Sequence, residues 1–192
     1  SELKLSVSGS TNLLEGHNAK IAQISRKMTR KDVLLARGNA DALALKKRFH
    51  NSSLHEKYLP IGQLAQQLYH NLETARCEII GTRVLPGTAT NLEFKIAEDI
   101  KQRSEIADVD ATDFSLAEAA GYILREMATG RPLPKPAESL TEKWRDFIKS
   151  EAGDTLINAA SAFQEQKNFA KLSRQIIKDL GYAHELGEDP DN

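Results

Sequence analysis

Apolar residues along this chain recur mostly at steps of three and four, the pattern of helices that bury one side. The clearest run is Leu64, Leu68, Leu72, Ala75 and Ile79. It predicts a helix over residues 62–80, around which the rest of the chain is organised. Gly81 is expected to stop that helix, since glycine enters the left-handed region most cheaply. Pro86-Gly87 predicts a turn, and Leu92, Ile96 and Ile100 predict a further helix over 91–102.

Upstream, Thr29 followed by Asp32 resembles a capping box with Asp in place of Glu, opening a helix over 30–49. Val33, Ala36, Ala40, Leu43 and Ala44 are its expected apolar stripe. Gly38 sits inside it at a cost of about 1 kcal/mol relative to Ala, which points to another helix packed closely there. Before it, Leu3, Leu5 and Val7 alternate with polar residues as in a strand. Residues 19–25 offer a second extended piece, and the two together predict a β-hairpin.

Downstream, Ser115 with Glu118 predicts a helix to about Thr129, ended by Gly130. Pro132, Pro134 and Pro136 predict an extended segment. Ser139 with Glu142 predicts a helix ending near Gly153, and Asp154 is the expected cap of a last helix over 155–180, closed by Gly181. The tail HELGEDPDN has the character of an acidic linker. The expectation is therefore a mainly α fold, a bundle of about six helices with a small N-terminal β-hairpin. Its expected divisions are an extended segment 1–28, a helical domain 29–181 and the start of a linker at 182–192.

Composition narrows the function classes. The chain has 192 residues, of which 40% are hydrophobic, with a net charge of −1. That supports a real core and gives no global case for nucleic acid or an anionic membrane. No apolar run is long enough to span a bilayer, and no secretory signal pattern is present. Cys77 is the only cysteine, which excludes an internal disulfide and suits a reducing cytoplasm.

Candidate chemistry is sparse. His50 and His55 straddle a helix end without HExxH or i,i+4 spacing, and read as solvated loop histidines rather than metal ligands. Asp108, Asp110 and Asp113 open like a calcium loop, but position six is Asp113 and position twelve Ala119, so an acidic loop before a helix is the better reading. Lys20, Arg26, Lys27, Arg30 and Lys31 form a basic cluster without interleaved aromatics, which disfavours nucleic acid and leaves a stand-alone adaptor or nucleic-acid-binding domain as the alternative. Cys77 has no histidine partner in sequence to make it a nucleophile, and no Gly-rich phosphate loop occurs. No catalytic, cofactor or metal residue is expected in this chain.

Glu73, Arg76 and Glu78 charge one side of the organising helix, with Arg83 beyond its expected end. These four are the candidate partner-binding residues. The competing reading makes Arg76 and Glu78 an internal ion-pair network that fixes the loop after Gly81.

The same residues carry a resemblance. KDVLLARGNADALALK over Lys31–Lys46, with Arg37–Asp41 at its centre, resembles the N-terminal region of the CobT family, the accessory subunits of aerobic cobaltochelatase. Glu73, Arg76, Glu78, Gly81, Gly87 and Asn91 sit at that family's spacing. The likeness continues through SLAEAAGYILREMATGRPLP and Trp144 to LGEDPD at Leu186–Asp191. It implies a part in ATP-dependent cobalt insertion into hydrogenobyrinic acid a,c-diamide in aerobic cobalamin biosynthesis. The implied partners are an AAA+ ATPase subunit (CobS) and a corrin-binding subunit (CobN). ATP, magnesium and cobalt are used by the whole complex and not by this domain. The family's von Willebrand A half has no counterpart in these residues, and no catalytic or metal position of the family maps onto them.

Overall fold

The computed structural model describes residues 4–7, 13–15, 18–21, 28–107 and 115–191. Among them are seven α-helices: α1 (Arg30–Phe49), α2 (Ser52–Lys57), α3 (Gln63–Val84), α4 (Gly87–Ala107), α5 (Leu116–Thr129), α6 (Lys135–Ser161) and α7 (Gln166–Ile177). The fold is mainly α, as the periodicity predicts. No helix among the described residues is long and apolar enough to cross a membrane.

The helix starts follow local chemistry. Thr29 Oγ1 accepts the Asp32 amide at 3.2 Å while Asp32 Oδ2 accepts the Thr29 amide at 3.0 Å, so the expected capping box of α1 is complete. Ser115 Oγ accepts the Glu118 amide at 3.3 Å to open α5. Gly130, at φ 67°, closes α5 in the left-handed region.

α3 is the axis of the main core. Leu68, Leu72 and Ile79 are fully buried and share one core with Ile123 and Leu124 of α5, Ile148 of α6 and Phe169 and Ile176 of α7. α4 lies along α1, and a smaller cluster of Ile96, Ile100, Leu133, Ala137 and Leu140 joins α4 to the start of α6.

Three expectations are corrected. First, the two expected strands do not pair as a hairpin. β1 (Lys4–Val7) runs parallel to β3 (Asn18–Ile21), and the antiparallel neighbour of β3 is β2 (Leu13–Glu15). Side-chain alternation is the same in both pairing directions, so the pattern carries no information on strand polarity. Second, Gly81 does not end α3, which runs three residues further to Val84. A Cβ at Gly81 would lie 2.3 Å from Leu45 Cδ1, so the glycine makes room for α1. Third, the two helices expected over 139–153 and 155–180 are divided elsewhere. α6 is continuous through Gly153 and Asp154, and the break falls at residues 162–165. One buried stripe (Leu140, Ile148, Ala152, Leu156, Ala159) spans the expected boundary and outweighs the local breakers. Pro136 lies in the first turn of α6, where the missing amide costs nothing.

The acidic tail folds back on the body. After a wide turn at Lys178–Tyr182, the Glu185 carbonyl accepts the amides of Ile61 and Gly62, at 3.0 and 2.9 Å. Asp191 accepts hydrogen bonds from Tyr58, Lys57 and Lys171.

Candidate functional site

The charged residues singled out on α3 do not share one exposed patch. Arg76 is among the most deeply buried side chains of the protein, 1% exposed, and Glu73 is 6% exposed. Burying an arginine is tolerable only if its donors are met and its charge is balanced. Both conditions hold. Arg76 Nε and Nη2 grip the two Glu73 oxygens at 2.8 and 2.9 Å. Nη2 also donates to the Phe49 carbonyl at 2.5 Å, and Nη1 to the Phe163 carbonyl at 3.2 Å. The guanidinium thus ties α3 to the end of α1 and to the α6–α7 connection. This is the internal-network reading, with Glu73 as the partner and the two main-chain junctions, rather than the loop after Gly81, as what is held.

Glu78 is half-buried and pairs with Arg125 of α5, itself 4% exposed. Arg83 is the exposed member; its Nη2 donates to the Ala128 carbonyl at 2.6 Å and its guanidinium lies 4.6 Å from the Phe163 ring centroid.

The carboxylate of Glu73 also faces a group that local reading missed. α1 ends at His50, α2 carries His55, and α3 carries His70 three residues before Glu73. His50 Nδ1 lies 2.8 Å from Glu73 Oε1, and His55 Nε2 lies 2.8 Å from His70 Nδ1. One ligand atom each from His50, His55 and Glu73 falls within 4.8 Å of the others. His55 is not a solvated loop histidine: it is 8% exposed and stacks on Tyr69, centroids 4.5 Å apart. The signal for the cluster was the i,i+3 spacing of His70 and Glu73, which puts both on one face of α3.

Burial sets the electrostatics. It lowers the His55 imidazole to about 4, with His50 adding to the effect, so His55 is neutral at physiological pH. Burial also lowers His70, aided by Lys46. Burial alone would raise the Glu73 carboxyl, but hydrogen bonds from Arg76 and His50 outweigh it and hold it below its ordinary value. Cys77 sits beside the group, its Sγ 3.8 Å from Glu73 Oε1, and burial pushes the thiol up to about 12. A thiol held protonated in this way is no nucleophile. The cluster lines a cleft of about 600 Å³ that is also walled by Asn39, Lys46 and Lys95.

Other sequence candidates fall outside this arrangement. Lys31 pairs with Glu98 Oε2 at 2.5 Å rather than presenting a free basic face. Arg26, Lys27 and the side chain of Lys20 lie outside the described residues, as do Asp108, Asp110 and Asp113.

No solved structure matches the chain. The family described as cobalamin biosynthesis protein CobT matches residues 1–192, the full length. By that match the chain belongs to the CobT family of cobalamin biosynthesis proteins.

Proposed function

We propose that this chain is a non-catalytic assembly domain of the CobT subunit of cobaltochelatase, working in the cytoplasm in support of ATP-dependent cobalt insertion into hydrogenobyrinic acid a,c-diamide. In this reading it docks onto the AAA+ ATPase subunit, with the corrin-binding subunit as the second candidate partner. ATP and magnesium serve the ATPase, and cobalt is the substrate of the complex.

The observation that carries the reading is the corner between α3 and α4. Val84 and Leu85 are 60% and 50% exposed there, side by side, next to exposed Arg83. Neighbouring aliphatic side chains in water beside an arginine have the composition of a small docking patch. Glu73 and Arg76, on the same helix, are buried in the bundle. Of the four residues first considered for docking, Arg83 is the exposed one, which supports a part for it in this reading.

Light scattering after size exclusion tests the reading. The protein is mixed with the ATPase subunit, with and without ATP and magnesium, alongside the variants Leu85→Glu and Arg83→Glu. A complex that both variants weaken while their melting temperatures hold supports docking at this corner. A folded wild type that forms no complex with the ATPase subunit rejects that partner and sends the same test to the corrin-binding subunit.

A further inference from the structure

We propose that His50, His55 and Glu73 form a binding site for a divalent first-row transition ion of the zinc class. The site would staple the α1–α2 junction to α3. The inference stands on the geometry of the cluster and is independent of the docking reading.

Two imidazoles and one carboxylate are a recurrent donor set for such ions, leaving a fourth position for water. Here the three come from three separate elements, yet their ligand atoms converge within 4.8 Å. Tetrahedral coordination with bonds of about 2.0–2.1 Å would place them roughly 3.4 Å apart, so the widest pair closes by up to about 1.4 Å while His50 Nδ1 and Glu73 Oε1, now 2.8 Å apart, open slightly.

An independent observation points to a ligand. His55 Nδ1 is buried and has no hydrogen-bond partner. A buried polar nitrogen left so carries its full desolvation cost, and a structure that carries one calls for an explanation. The His55–His70 contact supplies it. When His55 donates through Nε2–H to His70 Nδ1, the lone pair of His55 Nδ1 is free for a cation, and His70 acts as the outer group that fixes tautomer and ring plane. His70 is exposed on the cleft, which gives the ion a path in. At the other ligands the ion takes the place of the proton between His50 Nδ1 and Glu73 Oε1. Arg76 stays on Glu73, Nε to Oε2 and Nη2 2.9 Å from the ligand oxygen Oε1, and its charge, with that of Lys46 in the cleft wall, weakens the site relative to one without cations nearby.

The test uses chelator-washed full-length chain. Zinc is titrated calorimetrically, and cobalt(II) is titrated by visible absorption, whose ligand-field bands report four- or five-fold coordination by nitrogen and oxygen. One ion per chain is expected. His50→Gln and His55→Gln should each weaken binding at least tenfold, while His184→Gln on the tail leaves it unchanged. Circular dichroism and the melting temperature of the metal-free variants confirm that they fold, and zinc should raise the melting temperature of the wild type but not of His50→Gln. Absence of binding to the wild type below millimolar zinc overturns the proposal outright. So does binding that survives in His50→Gln at wild-type strength.

Discussion

Glu185 caps a helix that begins far earlier in the chain: its Oε2 accepts the Ala65 amide at 2.8 Å, across 120 residues of sequence. α3 starts at Gly62, which has no side chain to cap its own amides. The tail supplies the missing acceptor, and its negative charge suits the positive end of the helix. Gly62 is required for this fit, since a Cβ there would lie 2.4 Å from Glu185 Cβ. Glu185→Ala should lower stability by about 1 kcal/mol. In urea the midpoint should fall with the slope unchanged. Amide exchange should speed up at Ala65 while the centre of α3 stays protected.

Arg76 should be far more sensitive than a surface arginine. Arg76→Met leaves the Glu73 carboxylate buried beside a hydrophobe and strips the Phe49 and Phe163 carbonyls of a donor. Breaking a buried pair in this way costs about 3–5 kcal/mol. The double variant Glu73→Gln, Arg76→Met removes the orphaned charge and should recover part of the loss. A double-mutant cycle from urea unfolding measures that coupling. Equal losses in the single and double variants would show that the arginine acts through its main-chain acceptors alone.

Features coded by contiguous residues were legible in the sequence. The box at Thr29 and Asp32, the stop at Gly130 and the packing notch at Gly38 all follow from residues within one turn of each other. What escaped was long-range. Nothing near Arg76 says that the Phe49 and Phe163 carbonyls meet its donors, and it looked like a surface charge because neighbours in sequence do not report burial. Gly153 and Asp154 read as a helix boundary on propensity, yet the stripe of Leu140, Ile148, Ala152 and Leu156 carries α6 across them. On the same helix the apolar Phe147 and Ile157 are 41% and 56% exposed, since the buried face is set by where α5 and α7 lie. The histidine cluster was missed because its members come from three elements, and their convergence depends on the α1–α2 turn.

The metal-free protein should lose stability on mild acidification. His55 titrates near its ordinary 6.5 when unfolded and near 4 when folded. Between these values the unfolded chain holds more protons, so stability falls as pH drops from about 6.5 to about 4. The full loss is at most about 3 kcal/mol, at 1.36 kcal/mol per pH unit. His70, lowered by burial as well, acts in the same direction, and the His50, Glu73 and Lys46 side chains line the same cleft. Glu73 acts in a lower window: its depressed carboxyl stabilises the fold above its ordinary 4.5 and releases that stability as pH falls through its lowered value. Urea midpoints measured with chelator from pH 7 to pH 4.5 isolate the histidine window. His55→Gln should flatten the curve there, and an unchanged slope would assign the acid sensitivity to other groups.

Three helical glycines should respond in opposite directions to the same substitution. In an open helix, Gly→Ala gains about 0.5–1 kcal/mol by reducing the entropy lost on folding. Gly153 of α6 has no heavy atom within 4 Å of an added Cβ, so Gly153→Ala should be stabilising by that amount. Gly38 of α1 is the reverse case. Its Cβ would lie 2.5 Å from the Asn91 carbonyl oxygen and 2.8 Å from Lys95 Cβ, and main chain cannot step aside. Gly38→Ala must push α1 and α4 apart and should cost about 1–3 kcal/mol. Gly81→Ala falls between, because the atoms it meets belong to the Leu45 side chain, which can change rotamer. Its cost should therefore shrink in a Leu45→Ala background, where the colliding atoms are gone, whereas the cost of Gly38→Ala should be the same in both backgrounds. Urea unfolding of the single and paired variants reads this directly, and a Gly81→Ala penalty independent of Leu45 would move the constraint from the α1–α3 contact to the backbone of α3 itself.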